Sequence, residues 1–333
     1  MKKCLFILMV CLMATAGAYA SRSWVGPTGS WGTATNWQSS TLPSDTDGEL
    51  KIIKTSATSC NLDVDAGSFT ATKLTISGNG GLTFNITSTG SIRSGAEFTV
   101  GCGIAGAGVP TGIVNQTGGT LTLNDTAGTG IGKLEIGYRS GSAGVGNGTY
   151  TISGGTINGS GGIYVGAMAG TTYAATSGGP SGSIGKLVVQ GSASTISVGG
   201  PLFVGTGDPT GTFTGTGTLE FQIVNGGVSA IQTSGSGVYI DPTNELAAVA
   251  NLIVSVTSGV PAPVILLVNN TGVGAVTGVF DSVTLTGLAG YTVDYQYDNS
   301  NGNLTGGNDI ALIPEPVTIA LLGLGFLAIR RKK

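Results

Sequence analysis

Between about Leu74 and Val256 the chain repeats one pattern, two or three alternating apolar positions followed by Gly. Phe98-Thr99-Val100-Gly101 returns as Leu134-Glu135-Ile136-Gly137, Ile163-Tyr164-Val165-Gly166 and Leu202-Phe203-Val204-Gly205, with the glycines 36, 29 and 39 residues apart. A second phrase, such as Gly148-Thr149-Tyr150-Thr151-Ile152, lies between them. It opens at Gly112, Gly148, Gly185 and Gly217, which are 36, 37 and 32 residues apart. Strict alternation over a few residues predicts half-buried strands. A shared period near 35 predicts a solenoid, in which each strand buries its apolar side only by stacking on the next coil. The expected fold is all-β, a right-handed parallel β-helix with N- and C-terminal caps. Two coils of about 20 residues per repeat, roughly 4.8 Å apart, would give some ten coils and a rod on the order of 50 Å. Uneven spacing then reads as loop insertion on one face. Asn115, Asn124, Asn147 and Asn158 recur at matching points, where they can form side-chain ladders or sit in turns. The competing architecture is a set of tandem antiparallel β-sandwiches, because Asn147-Gly148, Asn158-Gly159 and Asn225-Gly226 are hairpin signals.

The flanks differ from the repeat, which gives a body of three parts: 21–60, 61–256 and 257–312. Trp24, Trp31 and Trp37 hold all the tryptophan of the chain. They can plug the open end of the stack, as terminal repeats must, or offer a platform for carbohydrate contact. The run Gly29-Ser30-Trp31, Asn36-Trp37, Leu42-Pro43 resembles the start of bacterial β-helix proteins that carry autotransporter-associated repeats. After Val256, Pro261 and Pro263 bracket Val264 to Val268, a buried-strand pattern, and Tyr291 to Tyr297 alternates strictly. These segments, ending at Asp309 to Leu312, read as a C-terminal cap and resemble the closing segment of such passenger-like proteins.

Both ends read as addresses. Met1-Lys2-Lys3, an apolar run from Cys4 to Met13 and the small residues Ala18 and Ala20 before Ser21 fit a secretory signal peptide over 1–20, cut by signal peptidase. At the other end stand Pro314-Glu315-Pro316, an uncharged stretch from Val317 to Ile329, and Arg330-Arg331-Lys332-Lys333. That stretch is short for a transmembrane span, and the basic end would hold it at the cytoplasmic face. This tripartite tail, 313–333, resembles the PEP-CTERM sorting signal of Gram-negative bacteria. The resemblance implies export across the inner membrane, processing near Pro314 to Pro316 by an exosortase, and delivery to the cell surface or extracellular matrix. It further implies association with exopolysaccharide and biofilm.

Composition narrows the chemistry. Gly supplies 60 of 333 residues and Pro 11, which excludes helical bundles, while Gly without a three-residue period excludes collagen. The net charge of −3 becomes −9 once the six basic residues of the two ends are set aside, leaving eight against 17 acidic. No basic surface remains for nucleic acid. With no His, the commonest general base and metal ligand is missing. Cys60 and Cys102 are too few for a zinc site, but in an oxidising compartment they can pair as a disulfide. No metal and no cofactor are expected. The acids of the repeat are sparse: Glu97, Asp125, Glu135, Asp208, Glu220 and Asp241. Only Lys133 with Glu135, and Arg139 near them, form a local group, which reads as an exposed ion pair. Asn61 to Gly67 is similar to a calcium loop but has Ala66 and Thr72 where Gly and Glu are required. The sequence therefore predicts a non-catalytic surface or matrix protein. The alternative is a carbohydrate-binding or polysaccharide-degrading protein on the same scaffold.

Overall fold

The computed structural model describes residues 21–315, apart from 45–46, 55–57, 64, 70–72, 79–81, 96, 103–110, 124–131, 138–144, 167–181, 206–214, 236, 242–247 and 303–306. The signal peptide 1–20 and residues 316–333 therefore lie outside the described residues. The first third of the body carries β1 (Ser21–Ser23), β2 (Gly29–Ser30), β3 (Glu49–Lys54), β4 (Thr58–Leu62), β5 (Asp65–Phe69), β6 (Lys73–Gly78), β7 (Leu82–Ile86), β8 (Ser91–Ser94) and β9 (Glu97–Val100). The middle carries β10 (Thr111–Leu123), β11 (Lys133–Ile136), β12 (Asn147–Gly159), β13 (Ile163–Val165), β14 (Ser183–Gln190), β15 (Ser194–Val198), β16 (Leu202–Val204) and β17 (Gly215–Ile223). The last part carries β18 (Ile231–Thr233), β19 (Val238–Ile240), β20 (Val249–Val256), β21 (Ile265–Asn270), β22 (Val276–Thr277), β23 (Ser282–Thr286), β24 (Tyr291–Tyr297) and β25 (Asp309–Pro314).

These strands stack as a parallel β-solenoid. One sheet has nine strands in the order β1-β3-β6-β9-β11-β13-β16-β19-β22, and the other has sixteen. The larger sheet is two faces joined along the bent strands β10 and β12. The first half of β10 pairs with β7 and its second half with β8. Likewise β12 pairs with β14 and then with β15. The bends fall at Gly118-Gly119 and Gly154-Gly155, where Gly119 and Gly155 have φ of 63° and 85°, a region open to glycine at little cost.

One sequence repeat is one coil of three strands, not two coils. The second-phrase glycines are register partners, Gly112 with Gly148, Gly148 with Gly185 and Gly185 with Gly217. Nine stacked strands then span roughly 40 Å rather than 50. The sandwich alternative fails because only β21–β25 and β24–β25 are antiparallel strand pairs among the described residues. Of the three Asn-Gly signals, only Asn225-Gly226 makes a tight reversal, with φ of 52° and 80° and a Val224–Gly227 bridge. The other two belong to β12. Parallel stacking also extends past both expected boundaries, from β1 on β3 to β23 on β20.

The core is the line of inward positions. Leu134, Ile136, Tyr150, Ile152 and Ile157, from one coil, are all fully buried. The corner after the nine-stranded sheet needs glycine. Gly137 has φ of 71°, and a Cβ there would sit 2.1 Å from the Ile184 carbonyl oxygen of the next coil. The uneven period arises at two places: just beyond this corner, where ten residues separate Gly137 from Asn147 but seventeen separate Gly166 from Ser183, and before the nine-stranded sheet, where ten separate Leu123 from Lys133 but four separate Gly159 from Ile163. An asparagine ladder on the larger sheet runs through Asn61, Asn85 and Asn115 with bonds of 2.8 and 3.2 Å. Of the four recurring asparagines it takes in Asn115 only, while Asn158 Oδ1 is buried with no partner among the described residues and Asn124 lies outside them.

Candidate functional site

The outward face of the nine-stranded sheet collects the functional side chains that the repeat can offer. In β11, Leu134 and Ile136 point inward, so Lys133 and Glu135 point outward. Register then aligns two outward columns. The first is Glu49, Lys73, Glu97 and Lys133, alternating in sign. Opposite charges on neighbouring strands favour this register, and Lys73 lies 3.0 Å from Glu97. The second column is Thr75, Thr99, Glu135, Tyr164, Phe203 and Tyr239.

Glu135 differs from the exposed ion pair that its spacing suggests. It is 0% exposed, neither carboxyl oxygen has a hydrogen-bond partner, and Lys133 Nζ stands 3.9 Å away. Desolvation, with repulsion from Glu97, pushes its pKa up to about 8 against the pull of Lys133 and Lys73. At neutral pH the carboxyl is therefore mostly protonated and uncharged, because an unpaired charge in such surroundings is costly. Lys133 Nζ also lies 5.6 Å from the Tyr164 ring centroid, a cation–π distance. Beyond it, Tyr164, Phe203 and Tyr239 form a stack with centroids 5.0 and 4.6 Å apart and interplanar angles of 14° and 12°. This row was legible in principle, since each ring is the middle residue of the repeating phrase. Its rings turn their faces to one another and their edges outward.

The tryptophans are in the core. Trp24, Trp31 and Trp37 are 2%, 2% and 0% exposed, so none has a face on which a sugar can stack, and the carbohydrate-contact expectation for them is corrected. They meet edge to face at 5.2 and 4.6 Å, and Trp37 Nε1 donates to the Trp31 carbonyl oxygen at 2.9 Å. Trp31 continues into an inner aromatic line through Phe84, Phe98 and Tyr150.

The Cys60–Cys102 disulfide is also corrected. Both residues are buried thiols with no disulfide; Cys60 lies on β4 of the larger sheet, whereas Cys102 follows β9 of the smaller one. Burial raises both thiols, Cys102 to about 11, which makes them poor nucleophiles.

No protein-family model, curated protein or solved structure matches this chain. What the site can do must therefore come from its own geometry. The calcium-like stretch runs as two strands, with Asn61 and Leu62 in β4 and residues 65–69 in β5, and Asn61 Oδ1 accepts from Asn85 rather than facing a cation. Asp63 Oδ1 accepts from Ser30 Oγ at 2.6 Å. No group of three or more potential metal ligands occurs among the described residues, and no described helix is long and apolar enough to cross a membrane. Of the sorting residues, Pro314 closes β25 and Glu315 is exposed, its amide donating to the Gly290 carbonyl at 2.7 Å. Ala18, Ala20, Pro316, Arg330 and Arg331 lie outside the described residues, as do Asp125 and Arg139.

Proposed function

We propose that this chain is an exported, non-catalytic structural protein of a bacterial surface or extracellular matrix, sorted by an exosortase and acting beside exopolysaccharide. The observation that carries this reading is the extent of the ladder. Its strands are already present at Ser21–Ser23, where the described residues begin, and its last strand ends at Pro314, where the Pro-Glu-Pro tail starts. The repeat thus fills the space between the two address segments with one stiff, regularly faced body. Such a body offers rows of side chains that run from coil to coil, polar in the first coils and aromatic from Tyr164 to Tyr239, which suits contact with a repetitive polymer more than recognition of one small molecule. Of the acids on the nine-stranded face, Glu49 and Glu97 are paired with lysines, and Glu135 is enclosed and cannot reach a glycosidic bond from its place in the ladder.

Intact-mass measurement of the mature protein, from a Gram-negative strain that has an exosortase, tests the sorting claim. The expected product begins at Ser21 and ends near Pro314 to Pro316. A product still ending at Lys333 overturns it. Cosedimentation with the polysaccharide of the same strain tests the matrix claim, and hydrolysis of that polymer would overturn the non-catalytic reading.

A further inference from the structure

The two ends of the solenoid are finished differently. At the N-terminal end the tryptophan plug closes the core. At the other end the antiparallel β24–β25 pair covers the face that ends in β21, but β23, the last strand of the neighbouring face, pairs with β20 alone among the described residues. Four of its five residues are exposed. Val283 and Leu285 occupy the inward positions over Leu252 and Val254, yet Val283 is 41% exposed because no further coil covers it. Val279, just before β23 in the chain, is 59% exposed.

The free edge of β23 has a defined hydrogen-bonding side. Ala250 of β20 accepts from the Asp281 amide and donates its own amide to the Asp281 carboxylate, so by alternation Leu252 and Val254 also turn their N–H and C=O groups to β23. In a parallel ladder the register partner of such a residue faces away, so Val283 and Leu285 direct their N–H and C=O groups outward while Ser282, Thr284 and Thr286 bond β20. The strand Ser-Val-Thr-Leu-Thr carries no charge and no proline, the devices that usually block an edge. It is also self-complementary. Antiparallel pairing about a two-fold axis at Thr284 sets Val283 against Leu285 as hydrogen-bonded pairs. Thr284 then meets Thr284, and Ser282 meets Thr286, at the closer, non-hydrogen-bonded positions.

We propose that β23 is a homodimerisation edge, through which a second copy of this chain pairs antiparallel and tail to tail. The contact is isologous, so it closes at two copies, and the tryptophan plug denies the head end to a third. It also gives two strongly acidic bodies a meeting point that carries no like charges.

Sedimentation velocity of the full chain over a concentration series tests this, with twice the chain mass expected. Val283→Pro removes an outward N–H while leaving the bonds to β20, and Val283→Lys places like charges across the axis. Both are expected to give monomers with unchanged far-ultraviolet circular dichroism. Thr284→Cys should cross-link into covalent dimers on oxidation, since Cα atoms of a non-hydrogen-bonded antiparallel pair lie about 4.5 Å apart, within disulfide reach. A monomeric wild type overturns the proposal. So does a dimer that survives both monomerising substitutions, which would arise from another surface, or a Thr284→Cys protein that does not cross-link.

Discussion

At the scale of single residues, this protein is sensitive at two kinds of position. Glu135 is buried without hydrogen bonds among the described residues, and its folded-state pKa, raised to about 8, lies above the ordinary value of 4.5. The folded chain therefore binds more protons than the unfolded chain between those two values. Its contribution is favourable at acid pH and is lost as pH rises from about 4.5 through 8. Denaturation midpoints measured across that window should decline in the wild type, and Glu135→Gln, neutral at every pH, should remove this part of the decline. Gly137 is sensitive for a geometric reason, a positive φ with a neighbouring carbonyl where Cβ would go. Gly137→Ala should cost about 2 kcal/mol or more in urea unfolding, whereas Gly302, at φ of 67° with open space around it, should cost less.

At the scale of elements, aromatic and polar contacts lock neighbouring coils together. Trp37, fully buried and touching both other tryptophans, should cost about 3–5 kcal/mol when replaced by Ala, with loss of near-ultraviolet circular dichroism reporting the plug. Tyr150 Oη donates to Gln116 Oε1 at 2.7 Å inside the core. Tyr150→Phe strands that acceptor and should cost about 1–3 kcal/mol in the same unfolding assay. The strands themselves were legible, because alternation and glycine spacing follow directly from the pleat and the corner. The number of strands per coil was not, since Gly118-Gly119 mark a bend within one strand and look like any other turn. The burial of Glu135 was equally hidden. Its alternation marks an outward position, and outward normally means wet. The tryptophans read correctly as a plug through their place at the chain's start, whereas their polarity handles alone left the sugar platform open.

At the scale of the whole molecule, each coil contacts chiefly its two neighbours, so coils should be removable as units. Deleting 163–201 joins Gly162 to Leu202 and brings β12 onto β17 and β18 in the existing register. This variant should keep the mean residue far-ultraviolet spectrum and a cooperative thermal transition, with the long axis shortened by about 5 Å. Loss of folded structure would show that the stack depends on more than nearest neighbours. The same arrangement bears on how the chain changes over time. Glu49 faces Lys73 after 24 residues, whereas Ile163 faces Leu202 after 39. Closing the longer circuit costs only about 0.4 kcal/mol more in chain entropy, because the penalty grows with the logarithm of length. The segments beyond the glycine corner are thus nearly free to lengthen, shorten or accept a grafted peptide, while the sheets they leave stay in register.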